Sequence, residues 1–339
     1  MQTILAQTLA ALAITLTVFA QPASAVVTPT TSPWIRTNSD MTRLALAPDG
    51  RFAAFIEGHS GRLLVLDINK RDVYPVSDAQ VGGAFFWAPD GFRLFYRELN
   101  RASGSDVIKS TLKAYDAALH RSITIDTLTE PTGLLTFDPR DMRMYLMRKS
   151  GILTRRINFP GERLGSWQVG QRTDRGRWVA TQKGMVWLSQ AGLAMRRLED
   201  DKALLESFSI SPDGSMAAWA TTGERIFVSR EGSAPRLLDR GRDPTWHPIK
   251  PILLYSGGRT VGKKVISYDL KVADLSIAAG EWATRPNSTA SLPTSGSVGR
   301  FLTTSQFSAE RWPQWDRKGT RIVYTIDRTT DLFTLDFNP

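Results

Sequence analysis

The sequence contains no cysteine, only three histidines, and no charged residue in its first 25 positions. Without cysteine the chain forms no disulfide and offers no thiolate to a metal, nor an N-terminal thiol for a lipid. Helical periodicity is missing after residue 25, and no Gly-x-Ser-x-Gly occurs, which excludes an α/β-hydrolase nucleophile. What is abundant is apolar: 42% of the 339 residues, with 10 Trp, 15 Phe and 7 Tyr, a composition that favours strands.

The uncharged start of the chain has the pattern of a signal peptide. Ile4 to Ala20 is an almost unbroken apolar run, and Ala23-x-Ala25 fits a signal-peptidase site, although no Lys or Arg precedes the run. We therefore expect residues 1–25 to be removed near Ala25, leaving a periplasmic or secreted protein of residues 26–339. A retained membrane anchor is the alternative, because the run is only slightly shorter than a spanning helix.

The net charge of +10 is concentrated in one stretch of the chain. Between Arg140 and Asp200, 13 Lys/Arg face 5 Asp/Glu. Such a region raises encounter rates with anionic partners: an acidic envelope protein or peptide, a polysaccharide or lipid head groups. Nucleic acid is not expected, because the chain has the pattern of an exported protein and carries no nucleic-acid-binding module.

A short repeat organises the chain after residue 40. Three clear copies place Pro-Asp-Gly after an apolar or aromatic residue and a small one, at Pro48, Pro89 and Pro212. Four weaker copies align at positions 139, 174, 248 and 317. Most spacings are close to the roughly 40 residues that one four-stranded blade of a β-propeller requires.

The chemistry of the repeat assigns strands on both sides of it. Pro, Asp and Gly suit successive positions of a type I turn, so each copy predicts a hairpin. The fifth unit, for example, predicts strands at Glu206–Ile210, Met216–Ala220, Arg225–Ser229 and Pro235–Leu238. The predicted fold class is all-β, a β-propeller of four antiparallel strands per blade, with seven blades favoured and six or eight left open.

The two ends of the chain are predicted to complete one blade. The seventh unit offers three strands, Arg311–Trp315, Arg321–Ile326 and Leu332–Phe337, and the segment from Val26 to Arg36 supplies the fourth. A Ser/Thr/Gly/Pro-rich stretch at 278–309 is interpreted as a surface insertion in one propeller domain.

These units resemble the Pro-Asp repeats of TolB-like β-propellers of bacterial envelopes. The resemblance covers about residues 40–337 and implies a periplasmic protein-binding platform. Members of that family carry an α/β domain before a six-bladed propeller, which this sequence lacks. The same repeat also occurs in the propellers of prolyl-oligopeptidase-type peptidases and in oligogalacturonate lyases.

Motifs that suggest catalysis are few. Gly257-Gly258-Arg259-Thr260-Val261-Gly262-Lys263-Lys264 approaches a phosphate-binding loop, but Lys264 stands where Ser or Thr is required and a strand follows, which predicts a hairpin turn instead. His59, His120 and His247 have no ligand spacing, and His247 is interpreted as structural. Trp87, Trp246 and Trp315, at equivalent repeat positions, are interpreted as packing between blades.

The leading hypothesis is therefore a non-enzymatic platform for an anionic envelope partner, with no catalytic residue, no cofactor and no metal. The candidate partner-binding residues are basic and lie in the third and fourth repeats: Arg143, Arg148, Arg155, Arg156, Arg175 and Arg177. The alternative is a secreted lyase-type enzyme acting on an anionic polysaccharide. Such an enzyme requires a base and a cation that stabilises a uronic acid carboxylate.

Overall fold

The computed structural model describes residues 33–82, 84–101, 108–128, 134–138, 140, 142–148, 151–157, 168–169, 176–189, 192–194, 203–231, 233–262, 264–276, 299–305, 308–327 and 329–337. Within these ranges the chain is all-β, and no helix there is long and apolar enough to cross a membrane. The predicted signal peptide lies outside the described residues.

The strands form small antiparallel sheets that follow one another along the chain. Sheet 1 contains β2 (Met41–Leu46), β3 (Phe52–Glu57), β4 (Leu63–Asp67) and β5 (Asp72–Pro75). Sheet 2 contains β6 (Phe86–Trp87), β7 (Arg93–Arg101), β8 (Ile108–Asp116) and β9 (Arg121–Leu128). Sheet 3 contains β10 (Thr136–Asp138), β11 (Arg143–Arg148), β12 (Gly151–Arg156) and β13 (Gln168–Val169). Sheet 4 contains β14 (Arg177–Thr181), β15 (Gly184–Ser189) and β16 (Gly192–Ala194).

Sheets 5 and 6 share one long strand. Sheet 5 contains β17 (Leu205–Ile210), β18 (Met216–Thr221), β19 (Arg225–Arg230) and the first half of β20 (Arg236–Trp246). Sheet 6 contains the second half of β20, β21 (Ile252–Val261), β22 (Lys264–Asp274) and β23 (Arg300–Phe301). The short β23 lies within the stretch predicted as an insertion, most of which is outside the described residues.

Sheet 7 brings together strands from both ends of the described chain. It contains β1 (Ile35–Arg36), β26 (Asp331–Asp336), β25 (Arg321–Ile326) and β24 (Glu310–Trp315), in that order. Ile35 is the register partner of Leu332, and Arg36 that of Asp331. β1, which lies at the end of the segment predicted to do so, therefore supplies the fourth strand of this sheet.

Apolar clusters lie between successive sheets. Six clusters join sheet 1 to 2, 2 to 3, 3 to 4, 4 to 5, 5 to 6 and 6 to 7. A seventh joins sheet 7 back to sheet 1, through Ile35, Val323 and Leu332 against Leu44 and Phe55. The packing thus runs through every sheet and returns to the first.

In sheets 1, 2 and 5, the second strand is more buried than the fourth. All six side chains of β18 are buried, whereas β9 is largely exposed. A second strand is covered on both faces by neighbouring sheets, so its sequence is a continuous apolar run rather than an alternation. This explains why an apolar run follows each turn motif.

The turn motifs and their tryptophans occupy the predicted positions. Gly50 N–H donates to the Ala47 carbonyl (2.8 Å), and Gly214 N–H donates to that of Ser211 (2.7 Å), closing the turns between the first two strands of their sheets. Trp87, Trp246 and Trp315 are all buried in clusters between two sheets. The interpretation of these tryptophans as packing between sheets is confirmed.

Candidate functional site

The first strands of the sheets surround a cavity. Residues in or beside the first strands of sheets 1, 2, 3, 5, 6 and 7 line a volume of about 340 Å³. The Pro-Asp turns follow these strands and so lie at one end of the cavity. The strands begin at the other end, and there the polar residues gather. We call that end the charged end.

Irregular backbone marks the charged end. Arg43, Asp243 and Trp312, in sheets 1, 6 and 7, all have positive φ, at 60°, 57° and 53°. The pairing register shifts at each of them, and it shifts again at Glu206 in sheet 5. A bulge adds a residue to one strand and turns its side chain out of the regular alternation. Four sheets therefore direct charged or aromatic side chains to the same end of the cavity.

Asp243 links sheet 6 to sheet 7 at this end. Its buried carboxylate accepts hydrogen bonds from Arg311 Nε (2.7 Å), the Trp312 N–H (3.2 Å) and Ser256 Oγ (3.3 Å). Burial alone would lower the pKa of Arg311, but the nearby carboxylates of Asp243 and Glu206 raise it, so its guanidinium stays charged. Left-handed backbone costs about 1–3 kcal/mol at a non-glycine residue, and this bonding holds Asp243 and Trp312 in it.

A second chain of ionic contacts runs through Arg242. Its guanidinium contacts Glu206 Oε1 (2.7 Å) and Glu224 Oε1 (3.1 Å), and Glu224 Oε1 also accepts a hydrogen bond from the Tyr268 hydroxyl (2.5 Å). Glu206 Oε2 is buried and has no hydrogen-bond partner among the described residues. Burial raises the pKa of Glu206, while Arg242 opposes the shift and Asp243 adds to it. Glu206 is thus a carboxylate of increased basicity with one oxygen unbonded in this part of the chain.

Arg43 reaches across the cavity. It extends from sheet 1 to sheet 5, where it donates to the backbone carbonyl of Glu206, and its guanidinium lies 5.7 Å from the centre of the Trp312 ring. Within the described ranges no carboxylate forms an ion pair with it, and burial lowers its pKa. The acids of this end are bonded to other arginines. Arg43 is therefore a cation with capacity for an external anion.

The arrangement offers the groups needed to bind and deprotonate an acidic substrate. Arg43 provides positive charge, Glu206 a base, and Tyr268 a hydroxyl that donates a hydrogen bond to Glu224. No group of three His, Asp or Glu side chains within the described ranges is placed to hold a metal ion.

The basic residues predicted to bind a partner do not form one exposed surface. Arg143 and Arg156 are register partners at one end of β11 and β12, with Arg155 beside them, while Arg148 lies at the other end of β11. Arg175 lies outside the described residues. The structure thus brings three of the six together and places Arg148 apart.

Several of these arginines are engaged within the protein. Arg143 Nη1 contacts Thr154 Oγ1 (3.3 Å), and Arg155 Nη1 contacts the Ile125 carbonyl (3.5 Å). Arg177 Nε lies 3.4 Å from Asp138 Oδ2, in a buried carboxylate that also binds Arg140. Cross-links within and between sheets account for these contacts.

The histidines and the glycine-rich segment are structural. His247 Nδ1 accepts hydrogen bonds from the backbone N–H groups of Ile249 and Lys250. Its Nε2 lies 3.2 Å from the Gly319 carbonyl of the next sheet. His59 and His120 belong to sheets 1 and 2 and do not converge with it. The segment from Gly257 is the β21–β22 hairpin, as predicted, with Val261 opposite Lys264.

Sequence reasoning missed the residues of the charged end. An alignment of the repeats could reveal them. The informative positions lie five and six residues before the Pro position of each turn. Those positions hold Arg43, Arg242, Asp243, Arg311 and Trp312. Charged residues in the first strand of a packed sheet indicate a bulge. In two of these segments a proline follows.

Comparisons with known proteins give only a distant likeness of fold. No protein-family model matches the chain, and no curated protein matches it. Among solved structures it is similar to an oligogalacturonate lyase in complex with manganese (TM-score 0.46, 12% identity, 90% of this chain and 79% of that one). It is also similar to an oligogalacturonate lyase from Vibrio parahaemolyticus (TM-score 0.46, 10% identity, 90% and 80%). Both neighbours have a propeller-like fold.

The expectation of a non-enzymatic binding platform is corrected. These similar structures are enzymes, and none of the comparisons supports a TolB-like assignment specifically. Arg143, Arg155 and Arg177 make contacts within the protein, and Arg148 lies at the other end of β11 from Arg143. The assignment of these arginines as partner-binding residues stays a prediction.

Proposed function

We propose that the chain is a lyase-type enzyme that cleaves an acidic polysaccharide by β-elimination at the charged end of the cavity. The observation that carries this proposal is the pairing of Arg43, which has no carboxylate partner within the described ranges, with Glu206, which keeps an unbonded oxygen. A uronic acid residue presents both a carboxylate for Arg43 and an acidic proton beside it for Glu206.

The elimination consumes no water and requires no redox partner. Arg43 neutralises the uronate carboxylate, which acidifies the proton on the adjacent carbon. Glu206 Oε2 accepts that proton, the electron pair forms a carbon–carbon double bond, and the glycosidic carbon–oxygen bond breaks. The leaving oxygen takes a proton from the Tyr268 hydroxyl. The products are an unsaturated uronate and a shortened chain with a new hydroxyl.

The environment of Glu206 supports its assignment as the base. Burial raises the pKa of Glu206, which makes it a stronger base than an exposed glutamate. Arg242 contacts Glu206 and lies 5.8 Å from the centre of the Tyr268 ring, so one side chain orients both groups.

The architecture that we propose for this enzyme is a closed seven-bladed propeller. Each sheet is one blade, the cavity is the central channel, and β1 closes the seventh blade. The packing of sheet 7 against sheet 1 supports this interpretation. We further propose that the enzyme acts outside the cytoplasm, in keeping with the signal-peptide pattern.

Incubation of the purified protein with polygalacturonate and alginate tests the proposal. We expect ultraviolet absorbance from an unsaturated uronate product. Glu206→Gln should lower the rate by about 10²–10⁴-fold, because it removes the base. Arg321→Gln, at an exposed ion pair with Asp336, is the matched control and should retain activity.

Absence of unsaturated product from every uronate polymer, with or without divalent metal ions, would overturn the proposal. Full activity in the Glu206→Gln variant would overturn the assignment of the base.

A further inference from the structure

The cavity beyond Arg43 is chemically different from its charged end. Partly exposed aromatic and aliphatic side chains of sheets 1, 2, 3 and 5 line it: Leu46, Phe85, Phe86, Phe137, Phe208 and Ile210. Phe86 and Phe137 stack across sheets 2 and 3 with ring centres 4.7 Å apart and planes within 8°. The lining of the cavity also includes the polar side chains of Ser209, Thr245 and Gln314. We call this part the aromatic lumen.

The size of the cavity suits one ring with a short chain. An engineered apolar cavity of about 150 Å³ in another protein binds benzene. The cavity here measures about 340 Å³ and would hold about eleven waters at their bulk volume. Water against these aromatic walls has few hydrogen-bond partners, so an apolar body that displaces it gains free energy.

Two polar groups at the border of the aromatic lumen are placed to bind a ligand. The Arg43 guanidinium spans the cavity without an ion-pair partner in the described part of the chain. Ser207, which also lines the cavity, has a buried hydroxyl with no hydrogen-bond partner among the residues that the structure describes. The neighbouring acids are neutralised: Asp243 by Arg311, and Glu206 by Arg242. A carboxylate placed here receives hydrogen bonds from both groups.

We infer that the cavity binds an aromatic carboxylate, with its ring in the aromatic lumen and its carboxylate on Arg43 and Ser207. This binding does not depend on the proposed elimination, since no bond is made or broken. An aromatic carboxylate contacts two features of the cavity that a sugar alone does not use together: the apolar aromatic wall and the Arg43 guanidinium.

Calorimetric titration with three probes tests the inference. The probes are 3-phenylpropanoate, the neutral 3-phenylpropanol, and propanoate, which lacks the ring. We expect 3-phenylpropanoate to bind about 10- to 100-fold more tightly than either of the others, the value of a charge-assisted hydrogen bond or of a buried ring. Equal affinity for the acid and the alcohol would overturn the assignment of Arg43.

Variants separate the two contacts. Arg43→Gln should weaken binding of the acid by about 10- to 100-fold and leave the alcohol unchanged. Ser209→Phe, which places a ring in the lumen, should weaken both. Arg321→Gln is the control for charge and should change neither. Unchanged binding in the Ser209→Phe variant would place the ligand elsewhere and overturn the inference.

Folding of the variants is checked by their thermal midpoints. If Arg43→Gln does not fold, Arg43→Lys keeps the charge and should retain preference for the acid, whereas loss of that preference would contradict the inference. Because the readout is binding, a protein that cleaves no polysaccharide still tests it.

Discussion

Single buried polar residues carry much of the specificity of this structure. His247 stands where two other turns have Asp138 and Asp316, and its Nδ1 accepts the same kind of hydrogen bond from backbone N–H groups. Burial lowers its pKa, which keeps the ring neutral as this geometry requires. The sequence correctly indicates a structural role from the position of His247 in the repeat.

Glu310, at the start of β24, is the residue whose titration should govern stability near neutral pH. Its side chain is fully buried, Oε1 has no partner, and Oε2 accepts from the Leu270 N–H (3.0 Å) and Thr303. Burial raises its pKa from 4.5 to about 7, with opposition from the Thr303 and Leu270 hydrogen bonds. The protonated form is therefore favoured in the folded state.

We expect this carboxyl to stabilise the fold fully below about pH 4.5 and to lose that contribution as pH rises through about 7. The change in unfolding free energy is about 3 kcal/mol, because the pKa rises from 4.5 to about 7 on folding. Glu310→Gln should remove this dependence, and urea titrations between pH 4.5 and 8 measure it. Asp336→Asn, at an exposed position, is the control; a Glu310→Gln protein with the parent's pH profile would contradict the prediction.

At the scale of elements, the repeat predicts the positions of the strands but not the bulges in the first strands. Strand positions follow from turns and apolar runs, and the fifth-unit strands begin and end within a few residues of their predicted bounds. The exception is the fourth, predicted as Pro235–Leu238, which continues to Trp246. Bulges break the two-residue alternation, so a pattern method assigns Arg43 and Glu206 to an ordinary strand.

The continuity of β20 depends on Gly241. Its φ of 157° marks the point where the strand leaves sheet 5 and enters sheet 6, and a Cβ there would overlap the Ser256 carbonyl oxygen. Gly241→Ala should lower the free energy of unfolding by about 2–3 kcal/mol, because backbone atoms cannot move aside as a side chain does.

Gly262→Ala is the matched control for Gly241→Ala. Gly262 also has positive φ (61°), but a Cβ there meets open space. Its substitution should cost about 1–2 kcal/mol of backbone strain alone. Chemical denaturation measures both variants, and an equal loss in the two would show that crowding by Ser256 does not matter.

At the scale of the whole molecule, the two ends of the described chain are held by few bonds. The Trp34 N–H donates to the Leu332 carbonyl (2.7 Å) and the Thr37 N–H to that of Thr330 (2.9 Å). Ile35 adds apolar contact in the cluster between sheets 7 and 1. Separation of β1 would expose this cluster and remove one strand from sheet 7.

A disulfide between β1 and β26 should therefore stabilise the protein. Arg36→Cys with Asp331→Cys places cysteines at register partners, and the natural chain has no other cysteine to compete. Oxidation should raise stability by about 2–4 kcal/mol, since the cross-link closes nearly the whole chain. Thermal midpoints with and without reductant measure the effect, and each single-cysteine variant is the control. No difference between the oxidised and reduced forms would contradict the prediction.

The sequence predicts more of the fold than of the site. Pro48, Pro89 and Pro212 mark hairpins whose residues lie next to one another in the chain, so local chemistry suffices. Arg43 and Glu206 are 163 positions apart, and only the arrangement of sheets 1 and 5 around the cavity brings them together. A basic composition, by contrast, does not tell which arginines are already bound, as Arg177 and Asp138 illustrate.

The unbroken passage of β20 between sheets 5 and 6 has a consequence for proteolysis. Proteases cleave at exposed loop tips, and this junction has none, because one strand continues from Arg236 to Trp246. The same continuity prevents sheet 5 from detaching while sheet 6 stays intact. These two sheets should open together in amide hydrogen exchange, as one cooperative unit of the ladder.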